Sequence, residues 1–225
     1  MPAESLTPNR AVVFGFAVLY WASVYVQARR VRQRIGRSPN VRPRGAKETL
    51  LWAGWCFVVL GWLALGWLGP GAGLWPAATL VPLVYPANLV IGTTMMLAGY
   101  AFTLWCYVAM GDAWRMGINR KEETQLVTRG PYQRVRHPIY LAQLVMVAAI
   151  MVLLPSVLAF LVLAVHLGCV LSKAADEESY LRIRLGQTYE HYRAGTGWWP
   201  RMFWPKAARA PGPGQESLKP FVPPK

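Results

Sequence analysis

Charged residues are scarce in this chain, and acidic residues are scarcer than basic ones. Only 15% of the 225 residues are charged and only 10 are Asp or Glu, whereas 54% are hydrophobic. Three long runs, residues 11–28, 49–111 and 138–172, contain no Asp, Glu, Lys or Arg. A single small soluble core cannot bury this much apolar surface, so the composition excludes a water-soluble domain and predicts a membrane protein.

Cysteine and histidine are also rare, with three residues of each type. All three cysteines fall within the apolar runs, which excludes a disulfide framework. The three histidines, His137, His166 and His191, are too few for a histidine-based metal centre, so we expect no metal ion.

The apolar runs predict an all-α fold with about five transmembrane helices, because each crossing needs roughly 20 apolar residues. The predicted spans are residues 11–28, 49–68, 87–110, 139–154 and 156–172. A Gly- and Pro-rich piece at 69–86 interrupts the longest run, and Pro155 divides the last run. We interpret residues 138–172 as a helical hairpin, with one long broken helix as the alternative.

Basic residues concentrate in the loops between these spans. The loop 29–48 holds eight Arg and Lys residues against one acid, and residues 111–137 are basic again, whereas 69–86 carry no charge. This asymmetry predicts cytosolic basic loops, with the N-terminus outside and the C-terminus in the cytoplasm. The net charge of +14 therefore favours contact with the lipid bilayer and not with nucleic acid.

Charge, histidine and two prolines lie directly against the last apolar run, in residues 129–140. Pro138 pushes His137 out of the α region while it suits the first turn of a helix itself. The N-terminus of that helix offers free N–H groups and a positive dipole end, which favour a carboxylate or a phosphate. Tyr132 and Tyr140 are either walls of a pocket or aromatic anchors at the membrane interface.

A second polar cluster follows the predicted hairpin and consists of Lys173, Glu177 and Glu178. The hairpin returns this cluster to the membrane face that carries His137. On a continuing helix Lys173 and Glu177 share a face. The two side chains either form an ordinary structural pair or bind a polar ligand.

These motifs together resemble the isoprenylcysteine carboxyl methyltransferase family, and phospholipid N-methyltransferases share much of the signature. The residues that carry the resemblance are Leu126, Val127, Thr128, Arg129, Gly130, Pro131, Tyr132, Arg136, His137, Pro138, Ile139, Tyr140, Glu177, Glu178, Gly186, Gln187, Thr188, Tyr189 and Tyr192. The resemblance covers about residues 111–200, and the first three spans resemble the family only in hydropathy.

The resemblance implies an S-adenosylmethionine site at the cytosolic face. Carried over to this chain, the cofactor-binding residues are Thr124, Gln125, Leu126, Val127, Tyr132, His137, Pro138, Ile139, Tyr140 and Glu177. Family members often have Arg where this chain has Lys173, a change that keeps the charge and loses the bidentate fork. The identity of the acceptor therefore stays open.

Hydropathy, composition and the resemblance together divide the chain into three predicted regions. Residues 1–110 hold three spans and the basic loop 29–48; residues 111–205 form the methyltransferase core, with the hairpin and C-terminal helices; residues 206–225, rich in Pro and Gly, form a disordered tail.

We interpret the chain as a membrane methyltransferase whose amphiphilic, lipid-like or isoprenoid acceptor enters from the bilayer, with carboxylate O-methylation favoured. Lys173 and Glu178 are the candidate catalytic residues, and Lys173 and Arg115 the candidate substrate-binding residues. A carboxylate acceptor needs no general base, whereas an amine would need Glu178 or His137 to accept a proton. The alternatives for the whole protein are a phospholipid N-methyltransferase, a membrane NADPH-dependent reductase and a non-enzymatic membrane protein. The alternative for Arg115 is that its basic side chain reaches the lipid headgroups.

Overall fold

A computed structural model describes residues 7–36, 43, 45–68, 86–115 and 126–198. Helices dominate these ranges, which contain no β-strand. The α-helices within them are α1 (Thr7–Ile35), α2 (Ala46–Trp67), α3 (Ala87–Met110), α4 (Pro138–Leu153), α5 (Val157–Leu185) and α6 (Gln187–Gly195). Most of the Gly- and Pro-rich piece at 69–86 and the whole tail predicted at 206–225 lie outside the described residues.

Four of these helical segments are long and apolar enough to cross a membrane. They are Pro8–Ile35, Ala46–Trp67, Ala87–Ala113 and Val157–Leu185. The fifth apolar helix, α4, has 16 residues and rises about 24 Å, less than the roughly 30 Å of a bilayer core. The all-α membrane fold is confirmed, with four helices of spanning length and one shorter helix where five spans are predicted.

Contacts at the helix ends show that successive helices alternate in direction. At one end of the bundle, Asn9 on α1 donates to the carbonyl of Leu153 at 2.9 Å, where α4 ends. At the other end, Arg34 on α1 pairs with Asp112 at 3.4 Å, and Lys47 on α2 pairs with Asp176 on α5. We call this second end, where α1 and α3 finish and α4 begins, the polar end.

Small residues bring the helices into close contact. A Cβ atom on Gly99 of α3 would lie 2.6 Å from Cγ of Met146 and 2.9 Å from the carbonyl oxygen of Ala142 on α4. A Cβ atom on Gly54 of α2 would lie equally close to Sγ of Cys169 on α5. Such small residues allow close helix packing in membranes, where water provides no hydrophobic force between the helices.

Residues 154–156 separate α4 from α5, so the predicted hairpin is confirmed and the single broken helix is wrong. The side chain of Ser156 accepts a hydrogen bond from the N–H of Ala159 and caps α5. This helix ends at Leu185, well beyond the uncharged run, because no Gly or Pro occurs between residue 172 and Gly186. Lys173 and both glutamates therefore lie on the same helix as the apolar span.

Candidate active site at the polar end

The start of α4 provides one wall of the site. His137 precedes the helix with φ −125° and ψ 60°, and Pro138 occupies the first turn, as the His-Pro pair predicts. Upstream, the 3-10 turn Gly130–Gln133 requires a left-handed residue, and Gly130 has φ +60°. The first-turn N–H groups of Ile139 and Tyr140 lie at a helix N-terminus that has no side-chain cap.

His137 is buried among two carboxylates and two aromatic rings. Its Nε2 lies 3.2 Å from Oε1 of Glu178, and its Nδ1 lies 3.6 Å from Oε2 of Glu177. The ring stacks on Tyr140 with centroids 5.6 Å apart and meets the ring of Trp198 at 5.2 Å. Burial alone would lower the pKa of His137, but hydrogen bonds to both glutamates and their negative charges raise it above its ordinary value of 6.5.

The two glutamates have different surroundings. Glu178 is buried; its Oε1 accepts a 2.8 Å hydrogen bond from Nε of Arg136, and its Oε2 lies 3.8 Å from Arg182. Glu177 keeps 28% of its side chain exposed, and its Oε1 accepts a 2.6 Å hydrogen bond from Tyr140. Glu177 is therefore the carboxylate that a ligand can reach, whereas Glu178 is engaged with neighbouring cations.

An apolar cluster forms between the end of α3 and the residues around the start of α4. Tyr132 packs with Cys106 and Ala109, and Val127 and Ile139 cover this cluster. Burial, followed by the charges of neighbouring groups that include Glu177, raises the pKa of Tyr132 well above 10. Val127, Tyr132 and Ile139, three residues of the predicted cofactor site, therefore lie in or against the same apolar cluster.

A short segment after α6, residues 196–198, closes over the site, and we call it the strap. The N–H of Arg136 donates to the carbonyl of Gly197 at 2.9 Å, and the Gly197 N–H donates to Arg134 at 3.2 Å. The Arg136 guanidinium donates to the carbonyl of Thr196 at 2.8 Å. Arg136 therefore joins the strap to Glu178, a role that the sequence analysis does not identify.

The remaining predicted residues have varied positions. Lys173 is half-buried one turn before Glu177, and among the described residues it forms no hydrogen bond or ion pair. Arg115 follows α3 at the polar end and donates to the carbonyl of Ala113 at 3.4 Å. Leu126 is half-buried. Thr124 and Gln125 lie outside the described residues, so their predicted cofactor contacts stay predictions.

The strap and α6 add further residues that the resemblance does not include among cofactor contacts. Tyr192 donates its hydroxyl to the carbonyl of Tyr132 at 2.8 Å, and Trp198 meets the His137 ring. The Tyr-x-x-Tyr spacing in α6 signals a one-sided aromatic helix. No local pattern near Trp198 indicates that this ring returns to residue 137, some 60 positions earlier.

Comparison with models of known protein families matches residues 90–183 to the isoprenylcysteine carboxyl methyltransferase (ICMT) family. The match includes α4, most of α5, His137 and both glutamates, and it ends before α6 and the strap. A search of curated proteins finds no match.

Proposed function

We propose that this chain, whose residues 90–183 match the model of the isoprenylcysteine carboxyl methyltransferase family, is a member of that family and transfers a methyl group from S-adenosylmethionine to the carboxylate of an amphiphilic acceptor. The observation that carries this proposal is Glu177, a partly exposed carboxylate fixed by Tyr140 at the polar end of a membrane bundle.

The residues around Glu177 fit the chemical groups of this cofactor. Its carboxylate suits an ammonium group or ribose hydroxyls. The N-terminus of α4, with the free first-turn N–H groups of Ile139 and Tyr140, suits a carboxylate. The rings of Tyr132 and Tyr140 supply electron-rich faces that suit a sulfonium. When bound, S-adenosylmethionine supplies an activated methyl group on an excellent leaving group.

The protein's own groups then align the acceptor. Lys173 lies one helical turn before Glu177 and is half-buried at the polar end, and we assign its ammonium to the acceptor carboxylate. A lysine makes a single-point contact, which tolerates more acceptor orientations than the fork of an arginine. The rate gain comes from alignment and from removal of water around the nucleophile.

The state of His137 favours a carboxylate acceptor over an amine. An amine must lose a proton, but both ring nitrogens of His137 face the carboxylates of Glu177 and Glu178 and not an acceptor. Glu178 is engaged by Arg136 and His137 and positions these groups. A carboxylate acceptor requires no proton transfer and therefore suits this arrangement.

The proposed orientation places the polar end in the cytoplasm and the N-terminus outside. The last turns of α1 carry Arg29, Arg30, Arg32 and Arg34. Together with Lys47 at the start of α2, they give this end the positive charge typical of the cytosolic face.

Methyl transfer is tested with the purified protein, labelled S-adenosylmethionine and a lipid extract. We expect label in the lipid phase that base treatment releases as volatile methanol, because methyl esters hydrolyse. Base-stable label indicates an N-methyltransferase instead. Glu177→Ala is expected to lose cofactor binding in a calorimetric titration, and normal binding by this variant would refute the assigned site.

A further inference from the structure

Trp198 is the last residue of the strap, and the backbone before it sets its position. Gly197 is buried, and its backbone forms hydrogen bonds with both Arg134 and Arg136. Both partners belong to the three residues that precede His137, so the strap is attached to the segment that carries the histidine. The half-buried Trp198 ring is thereby brought against the His137 ring, with centroids 5.2 Å apart and an interplanar angle of 55°.

His137 is in turn the residue on which the orientation of Glu177 depends. Its Nδ1 lies 3.6 Å from Oε2 of Glu177. Oε1 of the same carboxylate accepts a hydrogen bond from Tyr140, whose ring stacks on His137 with an interplanar angle of 18°. Both oxygens of Glu177 therefore contact groups that pack on each other, and a displaced imidazole would disturb both contacts.

The charges around His137 favour a cation at this place. Glu177 and Glu178 are adjacent on α5, and the imidazole contacts both, with Nε2 3.2 Å from Oε1 of Glu178. Two carboxylates repel each other less when a cation lies between them. The arginines near this pair are permanently charged and the tyrosines are neutral near pH 7, so the charge of His137 is the one in this set that changes there. These neighbours are Arg136, Arg182, Tyr132, Tyr140, Tyr189 and Tyr192.

We propose that Trp198 is a positioning residue of the site: it holds the His137 ring against both glutamates and so fixes the Glu177 carboxylate for the ammonium or ribose hydroxyls of S-adenosylmethionine. This inference rests on the proposed function. It extends the site beyond the family match, which ends at residue 183. In this assignment Trp198 acts through His137 and does not touch the cofactor.

The first test follows the histidines by NMR in protein without cofactor. Trp198→Leu keeps an apolar side chain on the strap and removes the ring that holds His137. We expect the pKa of His137 to fall in this variant, because the imidazolium is no longer held beside two carboxylates. Trp198→Phe retains a ring and restores most of the wild-type pKa. Signals of His166 and His191 are the internal references, and an unchanged His137 titration in Trp198→Leu would overturn the inference.

The second test is a double-mutant cycle on the affinity for S-adenosylmethionine, measured by calorimetric titration. Trp198→Leu is expected to weaken binding about three- to tenfold, the equivalent of one typical hydrogen bond. In the His137→Gln background the same substitution has no further effect, because its route to Glu177 is already broken. Additive losses would contradict action through His137 and indicate direct contact between Trp198 and the cofactor.

Trp52→Leu is the matched control, because Trp52 lies in the first turns of α2 at the polar end with 61% of its surface exposed. It keeps the wild-type His137 pKa and cofactor affinity, and losses equal to those of Trp198→Leu would overturn the inference. Wild-type protein that does not bind S-adenosylmethionine contradicts the proposed function instead. The histidine titration then still decides whether Trp198 positions His137.

Discussion

The hydroxyl of Tyr140 on α4 lies 2.6 Å from Oε1 of Glu177 on α5, and this bond joins the two arms of the helical hairpin at the polar end. It fixes Glu177, the more exposed of the two glutamates at the site. We therefore propose separate roles for the two glutamates, ligand binding for Glu177 and positioning of Arg136 and His137 for Glu178.

Glu177→Gln is expected to weaken binding of S-adenosylmethionine by about ten- to a hundredfold, because a charge-assisted hydrogen bond contributes about 1.5–3 kcal/mol. Calorimetric titration measures the change. Asp176→Asn, which alters the neighbouring carboxylate paired with Lys47, is the control and keeps wild-type affinity. Equal losses in the two variants would contradict the role of Glu177.

Glu178→Gln is expected to destabilise the fold by about 3 kcal/mol, because it leaves the largely buried Arg136 guanidinium without its counter-charge. Thermal unfolding in detergent measures the change. Asp112→Asn breaks the exposed pair with Arg34 and is expected to cost less than about 1 kcal/mol. A neutral effect of Glu178→Gln would exclude the positioning role.

His137 should make stability depend on pH. Its pKa in the folded protein is raised, so the imidazolium stabilises the fold fully below its unfolded pKa of about 6.5, and this contribution is lost as pH rises through the folded pKa. Melting temperatures measured from about pH 6 upwards are expected to fall in the wild type and to fall less in His137→Gln. An identical slope in both proteins would assign the effect to other groups.

Trp198→Ala is expected to expose the His137 ring, because Trp198 covers it. Diethyl pyrocarbonate labelling, read by mass spectrometry, should modify His137 faster in this variant than in the wild type. Exposed His191 and buried His166 provide internal references for fast and slow labelling. An unchanged rate at His137 would show that the strap does not shield it.

Gly99→Ala is expected to destabilise the protein by about 1–3 kcal/mol, because the added methyl group would overlap Met146 and the backbone of Ala142. Gly168→Ala is the matched control on α5, where a Cβ atom meets nothing within 4 Å. Reduced melting temperature in both variants would show that helix packing at Gly99 is not the cause.

Much of the fold follows from local features of the chain. Pro155 predicts the break between α4 and α5, and His137 before Pro138 predicts the non-helical entry to α4. The charge-free runs predict the apolar helices but not their ends. The helix α5 continues past residue 172 because helix propensity, and not hydropathy, decides where a charged helix stops.

The rest of the site depends on contacts between distant residues. The sequence around Arg136 indicates a basic residue at the membrane interface. The structure shows that Arg136 donates hydrogen bonds to Glu178 and to the carbonyl of Thr196. The sequence shows Gln143 only as a polar residue in an apolar helix. The structure shows that its side chain donates a hydrogen bond to the hydroxyl oxygen of Tyr20. Neither pairing has a local signature, because each joins segments that are 40 or more positions apart.

The hairpin at residues 154–156 has a consequence for how the protein is made. His137 and Tyr140 stand at the start of one arm, and both glutamates stand near the end of the other. Two antiparallel apolar helices joined by a tight connection can enter the bilayer as one unit. Insertion of the two arms together would bring His137, Tyr140 and both glutamates to the same face of the membrane in one step.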